Sequence, residues 1–199
     1  MGSRANASQR AGTALARCGW CGQLVQIVMD LEQINILWKE MRAEVYETQA
    51  WAQAEPESDI RKRVFIRSMA AFCESCINSL SEAVVTAASD LSAAEYAILC
   101  ETQFDLDDNG VIRERNRFYS AISRWRLLVR LMERRVGTSH WQVKFTDDGF
   151  NNFRKLFEIR NRIMHPKATN SMRIELDEIE ACVSGYRWFV KNYQGLCKI

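Results

Sequence analysis

The chain has 199 residues, 47% hydrophobic and 26% charged, which suits one globular domain with a real core and excludes a disordered or low-complexity chain. A formal net charge of +2 gives no bulk attraction to nucleic acid, so any such affinity has to come from local clustering. No stretch is apolar for long enough to span a membrane, and seven cysteines behind no apolar leader are expected to be reduced thiols in a cytoplasmic protein.

Residues 1–20 are small, polar and basic, with no acid before Asp30. They are expected to form a flexible basic tail ahead of a single domain over 21–199. From Gln23 to Ala52 apolar residues recur at helical spacing, among them Val25, Val28, Met29, Ile36, Leu37 and Val45. Glu55-Pro56 interrupts the pattern, and Ser58 or Asp59 opens a second helix that runs to about Ala88. Ser92 caps a short helix over Ala93 to Thr102, and a loop with Asp107-Asp108-Asn109-Gly110 follows. Further helices are predicted from Arg117 to Val136, from Asp147 or Asp148 to Met164, and from an Asp177 cap to Tyr193. Only two prolines and nine glycines occur, and no stretch reads convincingly as a strand. Long helices with short connections predict an all-α, antiparallel up-and-down bundle.

One segment carries the chemistry. In Phe153-Arg154-Lys155-Leu156-Phe157-Glu158-Ile159-Arg160-Asn161-Arg162-Ile163-Met164-His165-Pro166-Lys167, Leu156, Ile159 and Ile163 make an apolar helical face. Arg160 and His165 are five apart, roughly 140° around an ideal helix. A residue before proline is biased out of the helical region, so the helix is expected to stop at His165. The imidazole then lies just past the last turn, free to fold back beside Arg160. Asn161, four before His165, is placed to orient its ring or bind phosphate.

Such a set suits cleavage of RNA by its own 2′-hydroxyl. That reaction needs a base, an acid and a cation for the charge on the pentavalent phosphorus. Histidine transfers protons near neutral pH, here as general base or acid. Arginine holds phosphate through two parallel hydrogen bonds and keeps its charge. The chain has only two histidines, His140 and His165. One histidine per site supplies one proton-transfer group, so a two-fold homodimer is expected to join two copies of His165 and Arg160 in one cleft.

The segment resembles the HEPN superfamily, whose mark is an arginine, a polar residue, three to five others, then histidine; here Arg160, Asn161 and His165 match. The Ile163-Met164-His165-Pro166-Lys167 ending looks like its RiboL-PSP-type branch. Ala71 to Glu82 is similar to the family's second helix, which carries a glutamate at the position of Glu74. Asp105 to Gly110 and the final helix with Trp188-Phe189 also resemble it, for coverage over 23–195. The resemblance implies a metal-independent endoribonuclease without cofactor, acting as a toxin, abortive-infection or phage-defence effector. Its partners would be RNA, a second copy of the chain, and an antitoxin or sensor protein. Glu74 would help by ordering Arg160. In toxins silenced by a nucleotidyltransferase a tyrosine stands two places after the histidine; here that place is Lys167, so this control does not carry over. The alternatives are a non-catalytic nucleotide- or RNA-binding module of the same type, or a dimerisation scaffold.

Between Arg113 and Arg135 eight arginines oppose only Glu114 and Glu133. Arg126, Arg130 and Arg134 share one helix face, which reads as an RNA-backbone track, with Lys167 added, or as a solvated surface. Cys18, Cys21, Cys73 and Cys76 have the spacing of a zinc site, but the second pair falls in a helix among apolar residues, where cysteine is a small core side chain. Asp105, Asp107 and Asn109 imitate the start of a calcium loop, but its twelfth position is Asn116, so a turn is expected. His140 beside Trp141 reads as a loop residue.

Overall fold

A computed structural model of the protein describes residues 19–136 and 141–197, with side chains described over 35–135 and 141–197. Residues 1–18 of the expected tail, with Cys18, and His140 lie outside the described residues, as does the side chain of Cys21; Gly19 and Trp20, expected to close the tail, instead open the first helix. The elements are α1 (Gly19–Ala54), α2 (Asp59–Ala87), α3 (Ala93–Leu99), β1 (Thr102–Leu106), β2 (Ile112–Asn116), α4 (Ala121–Val136), α5 (Asp148–Met164), a short 3-10 turn (Thr169–Met172) and α6 (Leu176–Cys197).

Helix starts follow local chemistry. The Ser92 hydroxyl accepts from the Glu95 N–H while the Glu95 carboxylate accepts from the Ser92 N–H, a reciprocal capping box. The Asp147 carboxylate accepts from the Phe150 N–H at 2.8 Å and starts α5. Ser58 stands at the N-cap of α2 without a side-chain cap bond. The last helix begins at Leu176, so Asp177 lies in its first turn, where a carboxylate suits the helix dipole.

Helices dominate, but the expectation of no strand is wrong. Residues 102–116 form an antiparallel hairpin in which Thr102 pairs with Asn116 and Leu106 with Ile112. Its turn is made by Asp107, whose carboxylate accepts from the N–H groups of Asn109 and Val111, and by Gly110 at φ +76°, a backbone that favours glycine. One face is a charged ladder, with Arg113 on Asp107 at 2.9 Å and Arg115 on Asp105 at 3.2 Å. The carboxylates of the apparent calcium loop are thus engaged by turn N–H groups and arginines. The sequence hid the strands because both faces are largely solvated, so the buried-face alternation that marks a strand is weak.

The helices meet around α2. α1 packs along α2, α5 packs along α6, and α2 touches α4, α5 and α6. The core centres on Trp125, Phe72, Phe150, Phe153 and Phe189, with Phe153 stacked on Phe189 at 5.1 Å. Gly185 lets α6 approach the α5 backbone; a Cβ there would lie 2.4 Å from the carbonyl carbon of Asn152. This close contact fixes α5 against α6 and thereby the place where α5 ends.

Candidate active site

α5 buries Phe153, Leu156, Phe157, Ile159 and Ile163 and leaves Arg160 half-buried where the helix meets the edge of α2. On α2, Arg67, Glu74 and Asn78 follow one face, because steps of seven and four residues return to the same side of a helix. Glu74 points from that face to Arg160. The Arg160 Nη2 donates to Glu74 Oε2 at 2.7 Å, and its Nη1 donates to the Asn161 side-chain oxygen at 2.9 Å. Two anchors on different helices hold one guanidinium in a single orientation, while its remaining N–H donors stay free for a ligand.

His165 stands at the C-cap of α5 with φ −128° and ψ 64°, outside the helical region, as the following proline dictates. Its backbone N–H donates to the Asn161 carbonyl at 3.0 Å, so the chain leaves the helix directly over Asn161. The residue is exposed, and its imidazole makes no hydrogen bond among the described residues.

The loop after His165 is tied down. Arg162 grips Glu178 with both terminal nitrogens, at 2.9 and 2.8 Å, and also donates to the Arg173 carbonyl. Burial pushes the Glu178 carboxyl up, but the hydrogen bonds from Arg162 and from the Glu175 N–H outweigh it and hold the group below its ordinary value. Arg63 donates to the Met172 carbonyl and buried Lys62 to the Ile174 carbonyl. The two motif arginines therefore split their roles: Arg162 braces the scaffold and Arg160 faces the candidate site.

Reading from the sequence missed Arg67. Its Nη2 donates to the Ile163 carbonyl at 3.4 Å, adding a cation at the C-terminal end of α5. The available signal was its place seven residues before Glu74, two helical turns along the same face.

The structure does not gather the remaining candidates here. Arg126 stacks over Phe150 at 4.7 Å, near the start of α5, ten residues or about 15 Å of helix rise from Arg160. Arg134 is occupied by Glu95 at 2.9 Å and lies near Asp90, and Arg135 pairs with Asp90. Arg130 is exposed with no ion-pair partner among the described residues, and Lys167 is exposed in the loop after α5. The basic stretch is thus largely neutralised by acids that a sequence window of 113–135 does not contain, and the three α4 arginines form no track continuous with Arg160.

Cys73 and Cys76 lie buried in α2, and burial pushes both thiols up, which disfavours the thiolates that zinc needs. Among the described residues no group of three or more His, Cys, Asp or Glu side chains is arranged to hold a metal ion. No described helix is long and apolar enough to cross a membrane. No protein-family model, curated protein or solved structure matches the chain.

Proposed function

We propose that this protein is a metal-independent endoribonuclease of the HEPN type that cleaves RNA through attack of the 2′-hydroxyl. The observation that carries the reading is the fixed guanidinium of Arg160, held by Glu74 and Asn161 one turn before an exposed histidine that has left the helix. In this reading Arg160 takes the developing charge on phosphate, His165 moves a proton as base or acid, and Asn161 and Glu74 position Arg160. Arg67 and Lys167 contact the RNA backbone. A two-fold homodimer supplies the second histidine. A cytoplasmic toxin or defence effector, silenced or triggered by a partner protein, is the setting that fits such an activity.

The test is cleavage of a labelled RNA in EDTA, with the product ends identified. A 2′,3′-cyclic phosphate is expected, and DNA should be spared because it lacks the nucleophile. His165→Ala and Arg160→Ala should each cost at least about a hundredfold. Loss of cleavage in EDTA with recovery on adding a divalent ion would overturn the mechanism.

A second reading has one observation in its favour. Both terminal nitrogens of Arg160 are already bonded within the chain, which suits a module that binds RNA without cutting it. RNA binding by the wild type with no cleavage under the same conditions would select it.

A further inference from the structure

α1 and α6 both pack on α2, and a groove runs between them. Two cavities, of about 1040 and 490 Å³, lie end to end along it and share Gln49, Phe65, Val183 and Arg187. On α6 the lining includes Leu176 and Gln194, about 27 Å of helix rise apart, and on α1 it runs from Arg42 to Gln53, about 16 Å. The floor is apolar: Phe65 and Met69 of α2 are buried, flanked by Val45 and Val183. Trp141 closes one end, lying against Gly195 and donating to the Asn192 side chain at 3.3 Å.

Charge is concentrated toward that end. Arg42, Arg187 and Lys191 line the larger cavity, and no acidic residue does among the described residues. None of the three has an ion-pair partner among the described residues. Arg42 is held in place by donating to the Tyr46 hydroxyl at 2.9 Å and by lying over the Trp38 ring at 4.6 Å. Tyr186, also in the lining, is 8% exposed, and its hydroxyl has no hydrogen-bond partner among the described residues. A buried hydroxyl without a partner is costly unless something supplies one.

We propose that this groove receives an amphipathic helix from a partner protein, apolar on the face that meets Phe65 and Met69 and acidic where it passes Arg42, Arg187 and Lys191. The dimensions favour a helix: about 27 Å accommodates roughly 18 residues, whereas a small ligand takes a compact enclosed pocket. An RNA strand would require free cations along the whole track, whereas at the far end Lys62 is buried against the Ile174 carbonyl and Glu180 adds negative charge. The chain's own residues 1–18 carry Arg4, Arg10 and Arg17 and no acid, so their charge is the wrong sign. The groove lies on the other side of α2 from the candidate active site, since Met69 and Glu74 are about 140° apart around that helix.

The test places a photocrosslinking residue at Gln49 in one variant and at Gln194 in another, each expressed in the native host. The expected result is an adduct on one amphipathic segment of another polypeptide, carrying Asp or Glu on its flank. Reversing charge with Arg187→Glu and Lys191→Glu should cut the adduct at least about tenfold, with circular dichroism and melting unchanged. Changing the partner's acids to lysine should restore it, and Arg154→Glu on α5 should have no effect. An adduct on RNA, on a second copy of this chain or on a segment without acids would overturn the proposal. So would no adduct from either position, or one indifferent to the charge reversal. The readout does not depend on RNA cleavage, so this inference and the ribonuclease reading fail separately.

Discussion

Arg160 and Glu74 are 86 positions apart in the chain, yet Nη2 of one lies 2.7 Å from Oε2 of the other. The contact joins α5 to α2 at the point where α5 leaves the core. Both side chains keep roughly three-tenths of their surface exposed, so solvent weakens the pair. Its main effect is to set the direction of the guanidinium. Glu74→Gln is therefore expected to lower stability by no more than about 1 kcal/mol and to slow RNA cleavage by about tenfold. Cleavage rates and thermal melting on the same preparation check this. An unchanged or faster rate would mean that Glu74 competes with phosphate for Arg160 instead of positioning it.

The proposed homodimer makes a kinetic prediction. Each chain brings one His165, so wild-type and His165→Ala chains mixed into heterodimers would hold one histidine per cleft. They should lose most of their activity per dimer. Retention of half the wild-type rate, or an active monomer in sedimentation, would show that each chain carries a complete site. The shared interface should bury well over ~1,000 Å².

Stability should depend sharply on Gly185. A Cβ at that position would meet the Asn152 carbonyl carbon at 2.4 Å and its oxygen at 2.5 Å, and these are backbone atoms that cannot swing aside. Gly185→Ala is expected to cost about 3 kcal/mol in chemical denaturation, at the upper end of ordinary overpacking. A cost under about 1 kcal/mol would mean that α5 and α6 separate without penalty.

Acid should open the cap of α3. The Glu95 carboxyl is held down from 4.5 to about 2, first by the Ser92 N–H, then by the Arg134 hydrogen bond and the Ser92 hydroxyl. A carboxyl whose pKa is lowered by folding contributes stability above its unfolded value and loses it as pH falls through the folded one. The contribution should thus be complete above pH 4.5 and fade toward pH 2. Carboxyl NMR titration of Glu95 should show the depressed midpoint, and Arg134→Met should move it upward. A midpoint near 4.5 in the wild type would show that the box and the Arg134 bond do not hold in solution.

The tertiary structure also separates residues that look alike in the sequence. Arg160 and Arg162 stand two apart in one motif, but 200° around the helix, so one reaches Glu74 and the other reaches Glu178. Their spacing puts them on different sides of the helix, but which carboxylate stands opposite each is not written in the motif. The basic run tells the same story: Arg134 finds Glu95, Arg115 finds Asp105 and buried Arg124 faces Glu101 at 3.5 Å. Counting charge inside the run left those acids out because they precede it.

By itself the sequence determined the helical periods, the Ser92 cap, the start of α5 at Asp147 or Asp148, the break at Glu55-Pro56 and the end of α5 at His165, because each depends on residues within about one helical turn. Only the tertiary structure decided which arginine meets which carboxylate, that residues 102–116 fold as a hairpin, and that a groove lies between α1 and α6. Those outcomes follow from surfaces brought together across dozens of positions, and a local pattern carries no record of what stands opposite it.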